Sequence, residues 1–154
     1  MTAIGEVDEA NSALGAAIAA LTDIKLSSSL RAIQNELFDL GADIATPGDI
    51  EGALRIVARQ VTRLEEEIDA MNASLSPLTS FILPGGSMAV SMLHLARAVV
   101  RRAERATVAL QDAEAVNPHA LAYLNRLSDH LFVTARHLAA QEGGDILWQP
   151  GATR

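Results

Sequence analysis

The chain has 154 residues, a formal net charge of -7 and 49% hydrophobic residues, yet only 3% of its residues are aromatic. This length is typical of one domain with a sizeable core of Ala, Leu, Ile and Val, and the absence of cysteine excludes disulfides, thiolate metal sites and a cysteine nucleophile. The acidic net charge disfavours a nucleic-acid partner. No apolar run reaches the ~18 residues of a membrane span, and the first ten residues, MTAIGEVDEA, are unlike a signal peptide. We therefore expect a cytoplasmic protein without nucleic-acid or membrane partners.

Apolar residues recur at steps of three and four from the start of the chain, the spacing of one helix face. A first helix is predicted over 7–21. A second begins at the three serines 27–29 and ends at Pro47, which cannot continue a helix. A third apolar stripe, over 54–71, predicts a third helix that includes Leu54.

A loop rich in Ser, Pro and Gly follows, over 74–86, and contains the one strand candidate, residues 81–83. Ser87 is a suitable N-cap for a fourth helix that reaches about Leu110. Asn117, followed by proline, starts a fifth helix that ends near residue 140. The pattern predicts an all-α, five-helix up-and-down bundle over 1–141 and an irregular tail over 142–154.

The fourth predicted helix concentrates positive charge, with four arginines in the ten residues 96–105. Projected at 100° per residue, one arc of about 100° contains Arg97, Arg101, Glu104 and Arg105. Arg102 points elsewhere and is compatible with plain surface. The row is either a solvated stripe or the wall of a cleft or subunit interface. We favour a cleft or interface, because the rest of the helix is apolar and buried charge must be paired.

A matching face on the fifth helix carries Asn125, Asp129, Phe132 and Arg136. These side chains are either structural, with Asp129 as an ion-pair partner, or they oppose the arginine row across a site. Arginine suits phosphate oxygens because its planar fork donates two parallel hydrogen bonds. The four histidines form no recognisable ligand pattern, so no metal site is predicted.

Four sequence blocks carry a family resemblance. They are GEVDEANSALG (5–15), IQNELFDLGADIATP (33–47), FILPGGSMAVSMLHLARAVVRRAER (81–105) and YLNRLSDHLFVTAR (123–136). In this order they resemble the signature blocks of PduO-type ATP:cob(I)alamin adenosyltransferases. The resemblance implies a five-helix bundle that assembles as a homotrimer with active sites between subunits. It also implies transfer of the 5′-deoxyadenosyl group of ATP to cob(I)alamin, which yields adenosylcobalamin and triphosphate.

The resemblance also implies residue roles. Catalytic positions would be Arg101, which contacts the ATP phosphates, and Arg97, which pairs with Asp8 of a neighbouring subunit. The ATP-binding set would be Arg101, Glu104, Arg105 and Asn125. Phe81 and Phe132 would press on the lower face of the corrinoid. ATP with Mg²⁺ and cobalamin are the implied small molecules, and a flavoprotein reductase and a B12-dependent mutase are possible protein partners.

One departure from the family pattern concerns the start of the sequence. The family carries a TRTGDxGxT-like segment ahead of the first block, and this sequence begins just before that block. We expect the fold and trimer to persist without it, and the ATP site to be weakened. Two alternatives to the enzyme follow: a cobalamin carrier or chaperone with little ATP turnover, and a structural bundle whose arginines join subunits.

Overall fold

Five α-helices account for most of the computed structural model, which describes residues 1–154. They are α1 (Thr2–Ala19), α2 (Ile24–Ala45), α3 (Ala58–Asn72), α4 (Met88–Leu110) and α5 (Pro118–Gln141). α1 packs against α2 and α4, whereas α5 packs against α4 and α3. The helices therefore pack in the order α2, α1, α4, α5, α3. This arrangement confirms the predicted all-α bundle of five helices.

Side-chain caps define where three of the helices start. The Ser87 hydroxyl accepts a hydrogen bond from a backbone N–H of α4, and the Asn117 side chain does the same for α5, as predicted. The predicted start of α2 at the serines was wrong. Asp23 caps that helix instead, because its carboxylate accepts from the Leu26 N–H at 3.0 Å, while the Ser27 hydroxyl donates back to the Asp23 carbonyl.

The connection between α2 and α3 is organised by one buried carboxylate. Asp43, 2% exposed, accepts hydrogen bonds from Arg55 Nη1 at 2.8 Å, Ile56 N at 2.8 Å and Asn117 Nδ2 at 2.6 Å. These bonds hold the residues before α3 outside the helix. The predicted third helix therefore starts too early, because Leu54 precedes α3 and is exposed.

The core contains almost no aromatic side chains, in line with the composition. Its fully buried large residues are leucines, isoleucines and a single aromatic ring, that of Tyr123. The Tyr123 hydroxyl donates to Glu36 at 2.5 Å, so its buried polar atom is satisfied. Burial and this contact with Glu36 both raise the pKa of Tyr123 well above the usual range.

The segment after α5 pairs with the connection between α3 and α4. Leu83 N–H donates to Ile146 O, and Trp148 N–H donates to Phe81 O, each at 2.8 Å. An antiparallel bridge lies between these bonds, at Ile82. The strand candidate at 81–83 is therefore one isolated bridge, and the predicted irregular tail has order of its own over 145–148.

Candidate active site

The arginine row of α4, which comprises Arg97, Arg101 and Arg105, lies on the face of the helix that is not buried in the core. Positions off this face pack inside the bundle and include Ala96, Val100 and Ala103. Arg97 is half-buried, whereas Arg101 and Arg105 are exposed, with Arg105 Nη1 donating to the Arg101 carbonyl at 3.1 Å. One chain thus forms no closed cleft around the row, and a subunit interface at this face stays a prediction.

Arg97 has unused hydrogen-bonding capacity. Its Nε is buried without a partner, and its guanidinium carbon lies 5.9 Å from the centroid of the Phe132 ring. Burial, and after it the positive charge of Arg101, lower the pKa of Arg97. The half-buried guanidinium has no carboxylate partner within the chain and can pair with an anion from outside it.

Asp8 lies exposed on α1 and forms no ion pair within the chain. It lines an open groove between α1 and α2 together with Asn11, Gln34 and Phe38. Asn11 is buried, and its Oδ1 has no hydrogen-bond partner. The structure therefore leaves both members of the predicted Asp8–Arg97 pair without a partner, and the pairing itself remains a prediction about a second subunit.

Arg102, which the helical projection predicts to be compatible with plain surface, connects two helices. Its guanidinium forms ion pairs with Glu6 and Glu9 of α1. Hydrogen bonds to Glu9 and then Glu6 raise the pKa of Arg102. The neighbouring arginines of RRAER thus have different environments: Arg101 is open on the outer face, and Arg102 holds α4 against α1.

A hydrogen bond joins the polar face of α5 to α4. Asn125 Nδ2 donates to Glu104 Oε1 at 2.8 Å, which joins two of the residues predicted to bind ATP. Arg126 donates to Asn125 Oδ1 at 2.6 Å and pairs with Asp129 at 2.9 Å. Asp129 is therefore an ion-pair partner, the structural alternative. Arg126, absent from the predicted set, holds the amide of Asn125 with its nitrogen toward Glu104.

An aromatic and histidine cluster lies next to the arginine row. Phe132 is half-buried on α5, and its ring meets that of His94 edge-on with centroids 6.3 Å apart. His94 is buried, and its Nε2 has no partner. Burial and then Arg97 lower the pKa of His94, against an opposing effect of Asp145. Burial and the neighbouring positive charge both favour the neutral imidazole over the charged form.

Phe81 lies on the connection before α4. Its ring is 77% exposed, and its aromatic neighbour is Trp148 of the tail, with centroids 5.9 Å apart. Trp148 is absent from the predicted site residues, although it is the sole tryptophan of the sequence. The two predicted corrinoid residues, Phe81 and Phe132, thus have separate neighbours in a single chain.

The residues of the chain include no group of three or more His, Cys, Asp or Glu that could hold a metal ion. None of the five helices has a long enough apolar stretch to cross a lipid bilayer.

Comparison with known proteins identifies the family. The sequence profile described as "Cobalamin adenosyltransferase" matches residues 1–138. The chain belongs to the cobalamin adenosyltransferase family. A corrinoid adenosyltransferase of Mycobacterium tuberculosis is 48% identical over 160 residues, which cover 100% of this chain and 82% of that protein. The corrinoid adenosyltransferase of Bacillus subtilis is 42% identical over 153 residues, covering 96% and 79% of the two chains.

Solved structures of this adenosyltransferase family share the fold. A variant PduO-type ATP:corrinoid adenosyltransferase from Lactobacillus reuteri, complexed with cobalamin and ATP, superposes with a TM-score of 0.89 at 39% identity. The match covers 96% of this chain and 84% of that one. A second variant of the same enzyme, complexed with ATP, superposes with a TM-score of 0.88 at 39% identity, covering 96% and 85%.

Proposed function

We propose that this protein is an ATP:corrinoid adenosyltransferase that transfers the 5′-deoxyadenosyl group of ATP to cob(I)alamin. The observation that carries the proposal is the open arginine row of α4 beside the Glu104–Asn125 contact, in a chain that belongs to the cobalamin adenosyltransferase family. Its solved relatives were complexed with ATP and with cobalamin. ATP and cobalamin are thus the substrates.

The nucleotide lies along the outer face of α4 and α5. Arg101 and Arg105, which have no carboxylate partner within the chain, bind the phosphate oxygens. The Glu104–Asn125 pair presents one acceptor and one donor to the rest of the nucleotide. Mg²⁺ arrives with the triphosphate, because this cation prefers phosphate and carboxylate oxygens and retains several of its waters.

The bonds that change lie in the substrates. The electron pair of cobalt in cob(I)alamin attacks C5′ of ATP, so that a cobalt–carbon bond forms while the C5′–O bond breaks. The electrons of the broken bond leave on the triphosphate, and cobalt is oxidised by two electrons as carbon is reduced. The protein supplies no nucleophile. Arg101 stabilises charge on the departing triphosphate, and a rigid helix does so with little reorganisation.

Phe81 and Phe132 form the apolar side of the site. An apolar surface against the lower corrin face excludes water and a lower axial ligand, and this environment favours reduction of cob(II)alamin to cob(I)alamin. The electron itself comes from a one-electron donor, for which a flavoprotein reductase is suitable. The product is then available to a B12-dependent mutase.

The working form is a homotrimer in which Arg97 of one subunit pairs with Asp8 of the next. Support comes from the two unpaired groups on one chain, a buried Arg97 Nε and an exposed Asp8. An ion pair between subunits satisfies both groups and places the arginine row at an interface. The proposed location of this trimer is the cytoplasm.

The test is formation of adenosylcobalamin from cob(II)alamin, a chemical reductant and MgATP, followed by the visible spectrum. Arg101→Gln should raise the Kd of ATP by at least about tenfold, since charge-assisted hydrogen bonds are the strongest polar contacts available. Arg59→Gln, which removes an exposed arginine of α3, is the matched control and should change neither product formation nor ATP affinity.

Two outcomes would contradict the proposal. Tight cobalamin binding without ATP binding would make the protein a carrier or chaperone. Loss of the trimer in Arg101→Gln, with wild-type ATP affinity per folded subunit, would make the row an assembly element alone.

A further inference from the structure

Arg136 of α5 is a buried arginine for which the proposed reaction has no use. It is 8% exposed, and its Nε donates to Asp145 Oδ2 at 3.0 Å. Its Nη2 donates to the carbonyl of Ser76 at 2.8 Å. One guanidinium therefore joins α5 to the tail that follows it and to the connection between α3 and α4, which is distant in sequence.

The segment that Arg136 holds continues directly to Phe81. Three residues after Asp145, the Trp148 N–H donates to the carbonyl of Phe81 at 2.8 Å, and the Ser80 hydroxyl donates to the Trp148 carbonyl at 2.9 Å. The Trp148 ring lies against the ring of Phe81. Because Phe81 is 77% exposed, these tail contacts provide much of the support for its position.

We infer that Arg136 is a positioning residue for Phe81, acting through Asp145 and the tail segment 145–148. This inference rests on the proposed function, in which Phe81 contacts the corrinoid. An exposed aromatic side chain on a loop loses conformational entropy when it is ordered, and a clasp that orders the loop in advance removes that cost from substrate binding. A site residue is held in its productive geometry by such supporting contacts.

Arg55, just before α3, is a matched control for Arg136. Arg55 Nη1 binds the carboxylate of Asp43 at 2.8 Å, and its Nη2 donates to the carbonyl of Gly48 at 2.6 Å. Arg55 and Arg136 thus make the same two kinds of bond, to a carboxylate and to a loop carbonyl. They differ in that Arg55 has no link to Phe81.

The experiment compares two variants, Arg136→Gln and Asp145→Asn, here called the clasp variants, with Arg55→Gln in the full chain. Trp148 is the sole tryptophan, so its fluorescence reports directly on the tail. Both clasp variants should shift the emission to longer wavelength and increase quenching by acrylamide, while Arg55→Gln leaves emission unchanged. The KM for cobalamin should rise roughly tenfold in the clasp variants, with the KM for ATP unchanged, because a small misplacement at a reacting centre is costly.

The possible outcomes test the role of Arg136 and the proposed reaction separately. Equal changes in cobalamin KM for Arg136→Gln and Arg55→Gln would show a general structural role and overturn the inference, as would wild-type tail fluorescence and cobalamin KM in both clasp variants. Arg136→Lys, which keeps the charge and loses the fork, should recover part of the cobalamin affinity.

Failure of the wild-type protein to form adenosylcobalamin would reject the proposed function, whereas the fluorescence of the variants would still test whether Arg136 orders the tail. Should Arg136→Gln fail to fold, Asp145→Asn gives the same test from the surface segment.

Discussion

The guanidinium carbon of Arg97 lies 5.9 Å from the centroid of the Phe132 ring. The cation comes from α4 and the ring from α5, so one contact joins the face predicted to meet another subunit to the side chain predicted to meet the corrinoid. A guanidinium over an aromatic face is stabilised by the ring quadrupole, by about 0.5–2 kcal/mol depending on burial. The ring therefore holds Arg97 in place while leaving its hydrogen-bond donors available.

Charge reversal tests the proposed pairing of Arg97 with Asp8. Arg97→Asp and Asp8→Arg should each dissociate the proposed trimer, because each places like charges opposite one another across its interface. The double variant restores an opposite pair and should recover the trimer, which sedimentation equilibrium measures. Dissociation in the double variant as complete as in the single ones would mean that the two residues do not face each other.

Substitution of Phe132 tests the aromatic contact itself. Phe132→Leu keeps most of the apolar volume and removes the ring, so the KM for cobalamin should rise about tenfold and that for ATP should stay constant. Phe132→Tyr, which keeps the π face, is the control and should retain most of the affinity. Steady-state kinetics with each substrate varied in turn would show the difference.

Asn125→Asp tests the nucleotide face. The Nδ2 atom that now donates to Glu104 at 2.8 Å becomes a carboxylate oxygen, so two negative charges face each other beside the proposed triphosphate site. The Kd of ATP, measured by calorimetry, should rise at least about tenfold, since repulsion of the phosphates adds to loss of the hydrogen bond. Asn125→Ser, which is neutral, should cost less. Equal losses for the aspartate and serine variants would argue against a nearby anion.

Asp43→Ala should be the most destabilising of these changes. Its carboxylate is 2% exposed and receives bonds from Arg55, Ile56 and Asn117. Removal leaves the buried Ile56 N–H without an acceptor and takes the carboxylate from the half-buried Arg55 and from Asn117, at a cost of about 3 kcal/mol. Urea unfolding followed by circular dichroism measures this loss. Asp69→Ala, at an exposed position of α3, should change the free energy of unfolding by less than about 0.5 kcal/mol.

Glu67 gives a pH-dependent contribution to stability. Burial raises its pKa, but the hydrogen bond and charge of His130, with the charge of Arg63, outweigh burial and lower the pKa below its usual 4.5. A carboxyl group with a lowered pKa stabilises the fold above pH 4.5, and this stabilisation is lost as the pH falls through the folded-state value. Glu67→Gln should therefore be less stable than wild type at neutral pH, by about 1 kcal/mol, and the difference should shrink in acid. Glu66→Gln, at the exposed neighbouring position, should show no such pH dependence.

The helices and the faces they present were predictable because they depend on short-range order. Ser87 and Asn117 lie directly before apolar-periodic segments, and a cap needs only the next two or three residues. The errors arose where two local solutions compete. Asp23 and the serines that follow it are all good caps, and the apolar stripe of α3 continues backward through Leu54, which the bonds to Asp43 hold outside the helix.

The candidate site likewise has one part that is predictable from the sequence and one part that is not. The common face of Arg97, Arg101 and Arg105 follows from the helical repeat, which is a property of consecutive residues. The contact between Glu104 and Asn125 depends on the register of α4 against α5, and the neighbours of Phe81 depend on a tail that returns to it. Neither contact can be predicted from composition and periodicity.

Spacing of apolar residues and caps by itself determined that this chain forms five helices, and which side chains share each face, because both depend on interactions within a few residues. Only the tertiary structure decided that Arg102 holds α1, that Arg136 clasps the tail, and that Arg97 remains with a buried, unpaired nitrogen. Those outcomes depend on which distant groups meet when the helices pack. Burial of an arginine costs more free energy without a partner than with one, and the fold sets which partner it meets.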